Sequence, residues 1–565
     1  MGRKKVDINR IYSCDFETRN SEINIAQCTT SVWLWDCCDI VKYNHVNGNM
    51  IDEFIDYIKL ISPCTLYFFN LKFDGEFILS YLLKNNFKYR NSRKLKTGEF
   101  STCISEDGVW YCLKICFSSR KIVEIRDASK KIPGSVGTIA KSYNLPILKG
   151  EIDYMMERSD DYIPTANEIK YIKNDTEIIA RVLSMYYSEG LTHMTSSSDA
   201  LHVYKKMVGV NFFKHCFPVL DLETDNFIRD SYRGGLCMVR EKYVNKNLSN
   251  VRRYDVNSLY PYQMREMKLP YGSPLHFNGE PNLFGCYDLF IIKIKTSFVL
   301  KQRGVPTLVN RGMYSDDMII KSSGDFEMEL TLTNVDLELF LKNYDVWTIE
   351  YIEGYMFMST TKLFYDYIDK FYDLKSNANS DVRQLYKNLL NMLYGKFGKK
   401  TRQCDKIPYL VDGEVKYMNG ELSESQPIYT SVAAFITSYG RNQLVECIME
   451  NYDNFVYCDT DSVHLLGEMS DKDKLHEKEL GKWKDEGTFI KAKYLAQKTY
   501  FGIDENGKNC KKIVGASEKC KQNITFRNFM YNMSYSGKLR RKKVEGGVLL
   551  VPTTHKIKQK KSKGF

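Results

Sequence analysis

The sequence predicts a multidomain protein of mixed helix and strand, α/β at its start and α+β overall. Three observations predict it. A length of 565 residues suggests about three to four domains of ~150 residues each. A hydrophobic content of 43% against 27% charged residues supplies ample core for folded domains. Short strand candidates are followed by longer helical stretches, with no fixed-period repeat and no low-complexity linker.

The first ~190 residues read as mixed α/β. Residues 11–14 and 65–69 are short strand candidates. Thr165 and Glu168 match a capping box, in which the two side chains satisfy the first free amides of a helix. That helix is expected to run to near Gly190, a stop signal. The polar segment 192–199 is the best domain boundary. Strand-like pieces then surround Asp255 and Asp459, with a helical stretch over 362–397 between them. The block 267–361 mixes turns with short strands, 398–425 reads as a hairpin insertion, and the last ~50 residues are strand-rich.

Composition excludes several classes. There is no apolar run of ~18 residues, so no membrane span is expected. The start Met1-Gly2-Arg3-Lys4-Lys5 lacks the apolar stretch of a secretory signal, and Val6 stands where a myristoylation motif wants Ser or Thr. Sixteen cysteines and eight histidines show no metal-ligand spacing, so structural zinc and a disulfide framework are not expected. The chain reads as intracellular and reduced. Net charge is +11, concentrated late, in 538–543 and 556–563, which suits a polyanionic partner. Forty tyrosines and thirty phenylalanines can stack on bases, and equally suit a genome poor in G and C.

Chemistry is concentrated in acids. Tyr457-Cys458-Asp459-Thr460-Asp461-Ser462 lies between apolar runs and reads as a hairpin with two carboxylates at its tip. Residues i and i+2 of a strand share a face, so Asp459 and Asp461 are expected to point the same way. Like charges that close repel unless a cation lies between them, and Mg2+ takes oxygen ligands and pairs with phosphates. Asp471-Lys472-Asp473 has the same spacing in polar surroundings and reads as a solvated loop. A second acid set lies early. Asp15-Phe16-Glu17 ends an apolar strand, whereas its letter-for-letter copy Asp325-Phe326-Glu327 follows a polar turn and reads as structural. Asp74 follows another strand, and Tyr171 and Asp175 share a helix face. Four carboxylates and a phenol could hold two divalent ions against a phosphodiester.

Asp-x-Glu at 15–17, Asn-x-x-Phe-Asp at 70–74 and Tyr-x-x-x-Asp at 171–175 resemble, in order, the three 3′–5′ exonuclease motifs of proofreading DNA polymerases. The resemblance implies Asp15, Glu17, Asp74 and Asp175 as metal ligands or metal-site acids, and Tyr171 as the group that orients the attacking water. Lys149 matches an auxiliary lysine of that active site. Thr18, Asn70, Phe73 and Tyr154 match residues that hold the frayed primer end. Phe69 stands where relatives often have histidine, and Ala128-Ser129 where they often have Ser-Leu.

The rest of the chain is similar to family B polymerases. Asp255-Val256-Asn257-Ser258-Leu259-Tyr260-Pro261 resembles motif A. Asp255 would share metals with Asp461, the Val256 carbonyl could add a ligand, and Ser258 and Leu259 would contact the nucleotide. Tyr260 would pack under the sugar and exclude a 2′-hydroxyl. Lys387, Asn391 and Tyr394 fall at i, i+4 and i+7 in a segment resembling motif B, with Lys375 as a second triphosphate lysine. The 457–462 hexapeptide resembles motif C, with Asp461 as ligand and Asp459 in support. Thr437 to Arg441 and Lys498 to Tyr500 match motifs that grip template and primer, and Tyr232, Gly234 and Gly235 match a linker motif with DNA contacts.

The likeness is greatest to the protein-primed subgroup typified by phage phi-twenty-nine. It implies a ribonuclease H-like exonuclease domain (1–195) followed by a right-hand polymerase with two palm insertions. The palm would occupy 196–266 and 426–513, the first insertion 267–361, the fingers 362–397, the second insertion 398–425, and the thumb with its basic tail 514–565. It further implies protein-primed initiation, strand displacement and proofreading. Two Mg2+ ions per active site are expected, with Mn2+ able to substitute, and deoxynucleoside triphosphates as substrates. The implied partners are template and primer DNA and a terminal protein, with the chain a monomer or a heterodimer with that protein. The implied location is the cytoplasm of an infected bacterium. A stand-alone exonuclease and a non-catalytic DNA-binding protein are alternatives, against which the two intact acid sets argue.

Overall fold

The computed structural model describes residues 6–19, 29–92, 94–153, 156, 158–159, 162–310 and 319–559. Three sheets organise them. The first has eight strands in the order His45–Gly48, Val32–Asp39, Ile11–Thr18, Cys64–Phe68, Lys121–Asp127, Trp110–Ser118, Glu99–Ile104, Lys88–Tyr89. Its centre is parallel, Ile11–Thr18 against Cys64–Phe68 and that strand against Lys121–Asp127. Central strands covered on both faces need near-continuous apolar sequence, and Leu66, Tyr67 and Phe68 are all fully buried. The helix Ala166–Ser188 packs across this sheet with its capping box formed: the Thr165 hydroxyl accepts from the Glu168 amide, and the Glu168 carboxylate accepts from the Thr165 amide.

The second sheet runs Asn509–Ile513, Thr499–Asp504, Trp483–Ala496, Val251–Val256, Ser462–Leu466, Phe455–Asp459, Cys237–Val239, with Asn247–Leu248 beside Trp483–Ala496. The third has four strands, Leu269–Asn278, Tyr344–Thr360, Tyr287–Leu300 and Met328–Thr333. Two hairpins stand apart, Arg402–Val411 with Glu414–Glu424 and Ser534–Val544 with Gly547–Lys556. The turn of the first is Asp412-Gly413, both at positive φ, as a tight hairpin turn requires.

Two expectations change, and a third segment gains detail. The block 267–361 holds strands of 14 and 17 residues, Tyr287–Leu300 and Tyr344–Thr360, and the helix Asn334–Asn343, rather than short strands and turns. The longer strand is half-exposed along most of its length, so no apolar alternation marks it. The stretch 362–397 is two helices, Tyr365–Asn377 and Ser380–Phe397, broken at 378–379. The segment 192–199, read as a domain boundary, is ordered. Thr195 caps the helix Ser196–Val208, and Asp199 is fully buried in an ion pair with Lys131 of the first unit.

One apolar cluster joins the units. It runs from Ile11, Tyr67 and Ile178 through Tyr204 and Phe217 to Leu389, Leu393 and Phe435. Each such side chain contributes roughly 1.5–3 kcal/mol on burial, and the Ser380–Phe397 helix packs mainly on helices of the second unit while also meeting the helix Val136–Ser142 of the first.

Candidate active sites

The 457–462 segment is a hairpin, but its geometry differs from the expected one. Asp459 ends one strand and pairs with Ser462, which leaves Thr460 and Asp461 as the turn itself. Thr460 takes φ 62. The i, i+2 argument therefore does not apply to Asp461, because it lies outside both strands. Its position is set from the neighbouring strand, where the Val256 amide donates to the Asp461 carbonyl at 2.8 Å and Asp255 pairs with Ser462. Two chain segments about two hundred residues apart thus present their acids at the ends of adjacent interior strands. They line a cleft of about 400 Å3 with Tyr457, Asp459, Lys498, Tyr500 and Lys512.

Burial and the Asp461 charge push the Asp255 carboxyl up to about 7 against the pull of Lys387 and Lys484. Burial and Asp459 push Asp461 up as well. Asp459 is tied differently: Lys498 Nζ donates to its Oδ1 at 2.7 Å and the Tyr457 hydroxyl donates to its Oδ2 at 3.4 Å. Three residues after Asp255, the Ser258 hydroxyl accepts from Lys375 Nζ at 3.3 Å. Burial and the nearby Lys387 and Arg383 lower Lys375 to about 8. Ser258 is left-handed at φ 55 and starts the helix Leu259–Glu266. Tyr260 lies against Tyr394 with ring centroids 4.4 Å apart, and Asn391 is half-buried one turn before Tyr394.

Several predicted contact residues are placed for other work. Arg441 is 1% exposed. Its guanidinium holds both oxygens of Asp336 at 2.6 and 3.0 Å and donates to the carbonyls of Arg233 and Gly234 at 2.7 and 2.8 Å. Thr437 is buried, and its hydroxyl donates back to the carbonyls of Ala433 and Ala434. Neither side chain can grip DNA directly, and the expectation is corrected. Leu259 likewise points into the core of the second sheet, not at a nucleotide. Gly235 stands where a Cβ would come within 2.8 Å of the Thr460 side chain, and Tyr232 covers Gly398. These two serve the hairpin and the helix end, while Gly234 is exposed. Tyr500 packs in an aromatic cluster with Tyr457, His464 and Tyr494.

The second acid set also converges. Asp15 and Glu17 lie on the central strand Ile11–Thr18, Asp74 opens the helix Asp74–Lys84, and Tyr171 and Asp175 lie on Ala166–Ser188. Burial and the Asp175 charge push Asp15 up to about 7 against Lys149. Burial and Asp15 push Glu17 and Asp74 well above the usual carboxylate range. Burial also raises Asp175, against the Lys149 ammonium, which forms an ion pair with it and lies 4.9 Å above the Tyr171 ring. At the rim, Thr18 is half-buried beside a bulge, and Asn70 is exposed at φ 65 with its amide held by Asp127. Phe73 lies 5.7 Å beneath the Arg541 guanidinium. Tyr154 lies outside the described residues.

Both sets are hard oxygen donors that repel one another, which fits a divalent cation. Among the described residues no three acids close into a preformed cage.

A family model, DNA polymerase type B, organellar and viral, matches residues 61–479. The DNA polymerase of Bacillus phage Nf is 39% identical, over 97% of this chain and 100% of its own.

The chain belongs to the type B DNA polymerases, in the phi29 group.

The DNA polymerase of Bacillus phage phi29 is 39% identical over 97% of this chain and 99% of its own length, and that of Streptococcus phage Cp-1 is 34% identical over 97% and 98%. The solved structure of phi29 DNA polymerase complexed with primer-template DNA superposes with a TM-score of 0.91 at 37% identity, over 97% of this chain and 100% of that one. The ternary complex with incoming nucleotide gives 0.90 at 38%. The multidomain α+β class expected for the polymerase is the one found.

Residues of the polymerase that sequence reading missed lie around these acids. Lys484 pairs with Asp255 across the sheet, with Glu486 beside it, and Asp336 is the partner of Arg441. Strand pairing or burial reveals each of them, and no local motif does.

Proposed function

We infer that this polymerase copies a linear viral genome, starting from a terminal protein and displacing the non-template strand, and that it proofreads with a 3′–5′ exonuclease. The observation that carries the synthetic step is the meeting of Asp255 and Asp461 at the ends of adjacent interior strands, with Lys387 near enough to pull on both carboxyls. Asp255, Asp461 and the Val256 carbonyl would hold two Mg2+ ions there, and Asp15, Glu17, Asp74 and Asp175 would hold two at the second site. Bound divalent ions supply positive charge to the attacking and leaving oxygens of a phosphoryl transfer.

The chain's own groups do the rest. Lys375 and Lys387 neutralise triphosphate oxygens, as point charges do for phosphate. Tyr260, fixed against Tyr394, closes the space beneath the sugar, where a 2′-hydroxyl would collide. Asn391 lines the same helix face. Lys498 holds Asp459, which keeps that carboxylate from competing with Asp461. The primer 3′-hydroxyl gives up its proton to solvent and attacks the α-phosphorus, a new P–O bond forms, the α-phosphorus bond to the α,β-bridging oxygen breaks, and pyrophosphate leaves with its electrons. At initiation a terminal-protein hydroxyl takes the primer's place. At the second site Tyr171 orients a water toward the terminal phosphodiester and Lys149 balances the acids. Asn70, Phe73 and Thr18 cradle the frayed end.

Related solved structures are complexes with primer-template DNA, single-stranded DNA and incoming nucleotides, which supports the same ligands here. The domain limits expected from the motifs are proposed with this reading, as is action in the host cytoplasm as a monomer or as a heterodimer with the terminal protein. Among the described residues no helix is long and apolar enough to cross a membrane.

The test is extension of a primed template by the pure chain with Mg2+. Asp461→Ala should lower the rate at least about a hundredfold, the scale of losing several kcal/mol of transition-state stabilisation. Full synthesis by that variant contradicts the assignment. Protein priming is tested separately, by a covalent protein–nucleotide adduct formed with the terminal protein and labelled nucleotide. If no adduct forms, an ordinary nucleic-acid primer is indicated.

A further inference from the structure

The helix Ser380–Phe397 presents two polar faces. One carries Lys387, Asn391 and Tyr394 toward the polymerase acids. The other, about 100° from Lys387 round the helix, carries Asn388 toward the first unit. Asn388 is 5% exposed in a face otherwise made of Leu385, Leu389 and Leu393. Its amide Nδ2 donates to the Tyr186 hydroxyl at 3.0 Å and to the Tyr143 hydroxyl at 3.4 Å. The two tyrosine hydroxyls bond each other at 3.1 Å, and Gln384 Nε2 donates to Asn388 Oδ1 at 3.0 Å. Both tyrosines are 1% exposed. Tyr143 caps the short helix Val136–Ser142. Tyr186 is on Ala166–Ser188, the helix that carries Tyr171 and Asp175.

We propose that Asn388, Tyr186 and Tyr143 form a hydrogen-bonded joint that sets the rotation of the nucleotide-binding helix, making Asn388 and Tyr186 positioning residues for Lys387. Apolar packing fixes the depth of a helix but tolerates rotation and repacking, whereas a buried amide left unpaired is costly. Rotating the helix by one residue would break both bonds from Asn388 to the tyrosines and turn Lys387 away from Asp255 and Asp461, whose charges it now feels. Tyr186 lies about 16 Å along its helix from Asp175. The same rigid element thus carries an acid of one site and sets the lysine of the other.

This inference rests on the reading of Lys387 as a triphosphate lysine, and the experiment separates the two. Steady-state extension is followed while nucleotide concentration varies, for Asn388→Leu, Tyr186→Phe, the double variant and Lys387→Ala. Each single change at the joint should raise KM for nucleotide about tenfold, the scale of one buried hydrogen bond, and leave kcat within about twofold. The double variant should be no worse than the worse single, because the groups act as one unit. The unfolding midpoint is measured alongside. A lowered midpoint with wild-type KM indicates structural support only and overturns the joint, as do additive effects in the double variant. Wild-type KM in Lys387→Ala overturns the triphosphate reading. A raised KM there, with unchanged KM at the joint, overturns the joint alone. Tyr186→Phe removes one hydroxyl and keeps the ring, so it carries the test if Asn388→Leu does not fold.

Discussion

The two acid sets solve the same electrostatic problem in different ways. The 459–461 set lies on a turn between two interior strands, open to a cleft, with lysines at 375, 387, 484 and 498 around it. The Asp15 set is drawn from a central strand, a helix start and a long helix, nearly all of it buried, with Lys149 as its ion-pair partner. An open site ringed by cations suits a triphosphate that arrives and leaves in many charge states. A buried site with little room suits one strand end threaded in. What differs between them is access and counter-charge, since the ligand chemistry is the same.

Changes made away from the helix Ala166–Ser188 and the apolar cluster that joins the units should affect one set and spare the other, and the largest effect is expected at Arg441. Arg441→Leu leaves Asp336 buried and unpaired, a loss of about 3–5 kcal/mol. Heating the variant should abolish synthesis well before excision; loss of both together would mean that the two sites share one cooperative unit. Gly235→Ala forces a Cβ to within 2.8 Å of Thr460. Since that side chain belongs to the hairpin turn, extension should fall up to roughly tenfold, the scale of an off-rotamer shift of about 0.5–1.5 kcal/mol. Excision rates measured in parallel should not move. Lys498→Ala frees Asp459 and should slow extension several-fold. Lys498→Arg, which keeps the charge, should recover part of that loss, and equal defects in the two would show that the charge on Asp459 is not what matters.

The smallest effect is one of acid stability in the first unit. Burial pushes Glu168 up, but the Thr165 amide, Arg158 and Tyr162 outweigh it and bring the carboxyl to about 2, against an ordinary 4.5. The folded value lies below the unfolded one. The capping box therefore stabilises fully above about pH 4.5, and its contribution is lost as pH falls toward about 2. In acid unfolding curves followed by circular dichroism, Glu168→Gln should flatten that limb and leave neutral-pH activity unchanged.

Much of the fold was legible because local rules coincided with it. The Thr165 box, the strand over Thr65, Leu66 and Tyr67, and the 398–425 hairpin each carry their own signal within a few residues. The acid positions were legible as motifs, but their geometry was not. Asp461 is in a turn, so strand alternation gave the wrong reason for placing it beside Asp459, and pairing with the Val251–Val256 strand supplies the reason. Arg441 is a long charged side chain whose burial depends on Asp336, about a hundred residues away, and nothing near it in sequence marks that pairing. The 17-residue strand Tyr344–Thr360 was missed because its mostly half-exposed faces blur the period of two. Asn388 looked like an ordinary member of a leucine-rich helix until the tyrosines it meets were in view.

The central claim is that this polymerase has two separate acid sites with opposite tasks. The most direct measurement follows extension and 3′ excision side by side, on one primed template, in Asp461→Ala and in Asp15→Ala. The account predicts that Asp461→Ala stops extension and still excises, and that Asp15→Ala stops excision and still extends. Loss of both activities in either variant, with the protein folded, would contradict it.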